Sequence, residues 1–152
     1  MTERSGTQKT TAPEKPRADI PTIDEATSPY WGAAKEGSLL IARCGVCEKV
    51  HHYPRPFCPF CWSEDVTAIQ ASGRGILYTF STVYVNDLHP FKSRLPYVAA
   101  LVELEEGPRL MTNIEGCEPG ELEVGMAVEV LFRPLTDDLE ATVFRPSAVT
   151  EG

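Results

Sequence analysis

Four cysteines fall into two Cys-x-x-Cys pairs, Cys44-Gly-Val-Cys47 and Cys58-Pro-Phe-Cys61, with ten residues between them. A four-coordinate metal takes four soft donors at tetrahedral corners, and each Cys-x-x-Cys turn presents two thiolates to one ion. Two such turns brought together by a hairpin close the shell. A closed shell leaves no position for water, so Cys44, Cys47, Cys58 and Cys61 are expected to hold a structural zinc. Iron in a rubredoxin-like site uses the same four thiolates and stays open on spacing alone. A redox disulfide is disfavoured, because thioredoxin-type chemistry uses one such pair in a βαβ setting.

The remaining reactive side chains are few. His51 and His52 follow the first knuckle and are expected on the hairpin surface, since the thiolates already suffice as ligands. Cys117 stands among Glu115, Glu118, Glu121 and Glu123, and nearby negative charge raises a thiol pKa and slows its chemistry. Lys92 and Arg94 sit in the loop His89-Pro-Phe-Lys-Ser-Arg94. They are expected in solvent or against a partner. There is no Walker loop, nucleophile elbow, HExxH or GxGxxG signature. No catalytic residue is assigned.

The elements that must position these residues divide into four segments. Residues 1–23 are rich in Thr, Pro, Lys and Glu, and read as a disordered tail. Residues 24–37 read as a short helix, capped by Asp24 or Ser28 and ended by Gly37. It is too short to be stable alone, so Tyr30 and Trp31 must pack on the rest of the chain or on a partner. Residues 38–71 read as the zinc ribbon, with strands around SLLIAR, KVHHYP and VTAIQA. Pro54, Pro56 and Pro59 restrict the chain there, and Phe57, Phe60 and Trp62 are expected to cover the metal.

Residues 72–148 alternate in the manner of strands. GILYTFSTVYV, YVAALVEL, RLMTNI, AVEVLF and LEATVFRP are five β-branched and aromatic runs separated by turn signals. Val128, Val130 and Phe132 share one face of the fourth. Five short strands with one long early loop predict a Greek-key barrel of the OB-fold kind, with an SH3-like barrel or small sandwich as alternatives. Gly73-Arg74-Gly75 is too short to cradle a phosphate and is read as the turn from ribbon into barrel. The fold class is therefore mainly β: short helix, rubredoxin-like ribbon, five-stranded barrel.

Charge limits the partners. The chain carries a net charge of −8. Residues 63–152 hold fifteen acidic and six basic residues, whereas the ribbon is slightly basic. Zinc ribbons and OB-folds often bind nucleic acid, but neutralising phosphates supplies most of that affinity, and an acidic barrel opposes it. Electron transfer through an iron-loaded ribbon is the other alternative. The sequence has no apolar run long enough to span a bilayer and no signal-peptide core, so a cytoplasmic location is expected.

Taken in order, Tyr30-Trp31, Gly37 and Leu39, Cys44, Cys47, Pro54, Pro56, Cys58-Pro59, Cys61, Gly73-Arg74-Gly75, Pro96-Tyr97, Gly125 and Phe144-Arg145-Pro146 form a pattern spanning about residues 28–147. It resembles the acyl-CoA-associated zinc-ribbon and OB-fold proteins, a bacterial and archaeal family first labelled as a domain of unknown function. The resemblance implies zinc at the four cysteines and no catalytic residue of the chain's own. It also implies an accessory or scaffold role beside a thiolase-like or lipid-transfer-protein-like enzyme, in places with an acyl-CoA hydratase. The reactions implied are condensation, thiolysis or retro-aldol cleavage of an acyl-CoA, including steroid side chains. Some relatives carry a fused hydratase domain; here the catalytic partner is expected as a separate chain in a hetero-oligomer. Tyr30, Trp31, Phe91, Lys92 and Arg94 are the expected contact residues for that partner or for coenzyme A.

Overall fold

The computed structural model describes residues 14–148. A single helix, α1 (Ser28–Lys35), precedes a three-stranded antiparallel sheet of β1 (Leu40–Cys44), β2 (Val50–His51) and β3 (Val66–Gln70), ordered β2-β1-β3. Five strands then close a barrel: β4 (Arg74–Val83), β5 (Tyr97–Leu104), β6 (Arg109–Ile114), β7 (Ala127–Pro134) and β8 (Glu140–Pro146), in the order β4-β5-β6-β8-β7. Barrel neighbours pair antiparallel except β6 and β8, which meet in parallel at Ile114 and Phe144. This is the five-stranded Greek-key barrel of an OB-fold. No helix among the described residues is long and apolar enough to cross a membrane.

Alternation places the core. Along β5, Val98, Ala100, Val102 and Leu104 point inward and are buried, while their neighbours are half-buried on the outside. Leu77, Val128, Val143 and Phe144 complete the interior. Val128 is buried as the pattern requires, and Val130 and Phe132 pack half-buried against the same core.

Gly73-Arg74-Gly75 joins the two modules by steric necessity. Gly73 adopts φ +80°, a conformation that L side chains rarely take, and its carbonyl accepts the Val130 N–H at 2.7 Å. Gly75 lies so close to the Glu103 carbonyl that a Cβ would collide with it.

Two local expectations need correction. Helix α1 has Thr27 as its N-cap residue, not Asp24 or Ser28. Asp24 and Thr27 instead exchange bonds in the turn before it: the Thr27 N–H donates to Asp24 Oδ1 (2.9 Å) and the Asp24 N–H to Thr27 Oγ1 (3.1 Å). The C-terminus is as expected. Gly37, at φ 82°, and Ser38 donate to Ala34 O and Ala33 O, which satisfies the last carbonyls.

The expected tail over 1–23 is also shorter. Residues 1–13 lie outside the described residues, but from residue 14 the chain runs along the barrel. Ala18 N–H donates to His89 O at 2.8 Å, and Arg17 Nη1 to Leu135 O at 2.7 Å. A segment poor in apolar residues is held here by charge and backbone bonds, which composition does not register.

Candidate metal centre

The two knuckles have the same backbone although their sequences differ. Cys44 N–H donates to Lys49 O (3.0 Å) and Cys58 N–H to Ser63 O (2.8 Å), each closing a loop of equal length. Glu48 and Trp62, one residue past each pair, both take positive φ (60° and 66°). The Cys44 sulfur accepts the N–H groups of Val46 (3.4 Å) and Cys47 (3.5 Å), and the Cys58 sulfur accepts Phe60 N–H (3.4 Å). Strand β1 ends on Cys44, so the ribbon sheet carries the first knuckle directly, while β3 holds it from the other side through Gly45 N–H to Asp65 O (2.8 Å).

All four sulfurs lie within 4.8 Å of one another, with Cys44 to Cys61 at 3.5 Å and Cys47 to Cys58 at 3.6 Å. A tetrahedral site with zinc–sulfur bonds of about 2.3 Å has sulfur–sulfur edges of about 3.8 Å. The donor set therefore fits a four-coordinate soft metal, with every donor a thiol. The Cys47 N–H donates to the Cys44 thiol and holds it down to about 6 against the opposing effect of burial, with Val46 adding to the pull. At Cys47 the Lys49 N–H pulls downward, but burial and hydrogen bonds shared with Cys58, Cys61 and Cys44 prevail and push it up to about 11. Four sulfurs this close resist joint ionisation unless a cation sits among them.

The surroundings differ from expectation in three places. His51 is buried, not on the hairpin surface, and neither ring nitrogen has a partner among the described residues. His52 is also withdrawn from solvent, and desolvation, followed by the nearby His51, lowers its pKa to about 4. Strand β2 is only two residues long and ends on His51, whose ring lies on its buried face. Phe60 and Trp62 do not enclose the metal. They are 53% and 73% exposed, with Trp62 stacked on Phe57 at 5.4 Å and Lys49 over the Phe60 ring at 4.9 Å. Val46, on the first knuckle, is likewise exposed at 66%.

Tyr30 and Trp31 occupy the seam between the modules. Tyr30 is buried, donates to Thr142 Oγ1 on β8 at 3.0 Å, and approaches His52 Nε2 at 3.5 Å. Trp31 Nε1 donates to Tyr53 Oη at 2.9 Å. The Tyr30, Trp31, His52 and Tyr53 rings meet edge to face at 5.1 to 6.5 Å. Tyr30 is thus committed within the fold and not available to a partner; Trp31 is half-buried. Sequence reasoning missed Tyr53 and Thr142. The run His51-His52-Tyr53, aromatic and next to a knuckle, was the available signal for the first, and Thr142 had none.

Phe91, Lys92 and Arg94 lie on a short 3-10 helix in the long β4–β5 loop. Lys92 is exposed, but Arg94 is paired with Asp19 at 2.8 Å, so it is not free in solvent as expected. Cys117 is half-buried, and its thiol is pushed up by desolvation, then by Glu121 and Glu118, in keeping with an inert role.

A four-thiol ribbon seamed by an aromatic helix to an OB barrel defines a two-module class of protein. The chain belongs to the DUF35 family. Residues 31–67 match the family model described as "ChsH2, rubredoxin-like zinc ribbon domain", and residues 68–133 the one described as "ChsH2, C-terminal OB-fold domain". A "DUF35 domain-containing scaffold protein" of Methanocaldococcus jannaschii is 39% identical over 110 residues, covering 71% of this chain and 77% of that protein. The "Probable enoyl-CoA hydratase alpha subunit" of Thermomonospora curvata is 38% identical over 140 residues, which is 91% of this chain but 43% of that protein. The chain therefore spans less than half the length of this relative. Among solved structures, a chain of an "Ltp2-ChsH2(DUF35) aldolase" superposes with a TM-score of 0.75 at 37% identity, covering 85% of this chain and all of the other.

Proposed function

We propose that the chain is a non-catalytic accessory subunit that docks on a thiolase-like acyl-CoA enzyme, with zinc in the ribbon as a purely structural ion. The observation that carries this reading is its likeness, over the whole of the other chain, to the DUF35 component of an aldolase complex. The archaeal relative named as a scaffold protein supports the accessory role. The thiolase-like character of the partner is supported by the family resemblance and by a relative from Thauera aromatica named "Benzoylsuccinyl-CoA thiolase subunit BbsA".

Zinc fits because the knuckles offer four thiol donors near tetrahedral spacing, and structural zinc is four-coordinate in such settings. Its part is to close the ribbon, while this chain's residues provide the contact surface. That surface includes the knuckle side chains Val46, Phe60 and Trp62, all large, apolar and exposed. Trp31 and the loop bearing Phe91 and Lys92 extend it. Aromatic residues anchor such interfaces by burying large area with few rotatable bonds.

Co-expression with the thiolase-like proteins of the source organism, followed by size exclusion and an acyl-CoA cleavage assay, tests the reading. A stable complex with an enzyme that loses activity or solubility without this chain is expected. Trp62→Ala weakens the complex and leaves metal content unchanged. Absence of any such partner, or an enzyme indifferent to this chain, rejects the proposal. Metal analysis is expected to return about one zinc per chain; a red, iron-containing protein instead favours the rubredoxin alternative.

A further inference from the structure

Residues 14–23 cross the mouth of the barrel and tie together its β4–β5 and β7–β8 loops. Ala18 bonds to His89 in the β4–β5 loop, and Arg17 Nη1 to Leu135 in the β7–β8 loop. The equivalent loops form the ligand-binding mouth of OB-folds in general. Between them Asp19 is almost fully withdrawn from solvent, with its side chain 5% exposed. Arg17 Nε and Nη2 grip its two oxygens at 3.0 and 2.8 Å, and Arg94 Nη2 adds a third bond at 2.8 Å.

The cleft beside this carboxylate is built for something larger. It has a volume of about 480 Å³, and its walls include Phe91, Arg94, Tyr97, Asn113 and Arg133. The Phe91 and Tyr97 rings stand 6.2 Å apart at its edge. Arg94 Nη1 and Arg133 Nε are buried without a hydrogen-bond partner among the described residues. A second cavity of about 280 Å³ lies under the strap itself and shares Phe91 and Arg133 with the first.

We propose that residues 14–23 are a displaceable strap, and that Asp19 is an internal placeholder in an anion site centred on Arg94 whose ligand is a small molecule bearing a phosphate or carboxylate beside an aromatic ring. The Asp19 carboxylate accepts from Arg94 a bond of the kind such a group accepts, and it does so from within the same chain. A tethered competitor acts at an effective concentration of about millimolar, so the intact protein binds weak anionic ligands poorly. The unpartnered Arg94 Nη1 is a donor left over when the single Asp19 carboxylate fills the site, while Arg133 is paired through Nη1 with Glu115 and leaves only its Nε without a partner among the described residues. The Phe91 and Tyr97 rings supply the apolar wall that small-molecule clefts of this size commonly have. This holds whichever enzyme the chain assists.

The test is calorimetric titration of the full chain with phenyl phosphate, benzoate and inorganic phosphate. Asp19→Asn is expected to tighten phenyl phosphate or benzoate by about tenfold or more, by removing the tethered competitor. Whichever of the two responds more identifies the phosphate or the carboxylate as the natural group, and inorganic phosphate alone responds less because it leaves the ring wall empty. Arg94→Ala in the Asp19→Asn background abolishes the gain. Arg17→Ala, which loosens the strap without touching Arg94, tightens binding by a smaller factor. If Asp19→Asn fails to fold, Arg17→Ala alone decides by the same measurement. No tightening in a folded variant, or a gain that survives Arg94→Ala, overturns the proposal.

Discussion

The ribbon and the barrel bury different things at their centres. In the ribbon, strands of five, two and five residues enclose little apolar volume, and two of its three most buried side chains, Cys44 and Cys58, are thiols beside Ile41. In the barrel, strands of six to ten residues close on Leu77, Val102, Val128, Val143 and Phe144, all virtually sealed from water. A small sheet open at both edges cannot gather enough apolar area to offset its chain entropy, so a metal must supply what the core does not. A closed sheet of five strands removes its edges and makes its own core. The seam of Tyr30, Trp31, His52 and Tyr53 lets the self-sufficient module steady the dependent one.

The contrast is most sharply tested at the knuckles. Cys58→Ser, or a strong chelator, is expected to unfold the ribbon while the barrel persists, because structural zinc in such modules contributes about 10 to 16 kcal/mol of apparent binding energy at neutral pH. Amide spectra losing ribbon signals and keeping barrel signals are the expected readout; a single cooperative collapse of both modules breaks the distinction. The converse experiment is Phe144→Ala. Emptying the barrel centre costs about 3 to 5 kcal/mol by denaturant titration, with thiol accessibility in the ribbon unchanged at denaturant concentrations where the barrel remains folded.

Acid acts on the seam. His52 has a folded pKa of about 4, below the ordinary histidine value, so it is neutral in the folded protein and the unfolded chain binds the extra proton. Its contribution is fully present above about pH 6.5 and is lost as pH falls through 4, amounting to at most about 3 kcal/mol. A ring titration by NMR locates the midpoint, and His52→Phe is expected to flatten the stability slope between those pH values. Tyr30→Phe removes the hydroxyl's bond to Thr142 and its longer contact with His52 and costs about 1 kcal/mol, read as a lower melting point without change in metal content. Lys35→Ala breaks an exposed ion pair with Asp138 that joins the helix to the barrel rim. A shift below about 0.5 kcal/mol is expected, because water screens such pairs; a larger one means that the seam relies on charge as well as on aromatic packing.

The sequence by itself determined the four thiol donors, the order of eight strands and, for the strand carrying Val128, Val130 and Phe132, the face that turns inward. These are local matters: Cys-x-x-Cys spacing reflects the geometry of one turn, and period-two alternation reflects one strand's two faces. The glycines at 73 and 75 were legible as a turn for the same reason. Only the tertiary structure decided that His51 is buried and His52 half-buried, that Tyr30 bonds across 112 positions to Thr142, and that Asp19 reaches Arg94 across 75. Burial of a histidine depends on what the chain brings over it, and an ion pair between distant residues is set by where two loops come to rest. Neither leaves a period or a spacing in the sequence, because both are properties of surfaces that exist only after the barrel has closed.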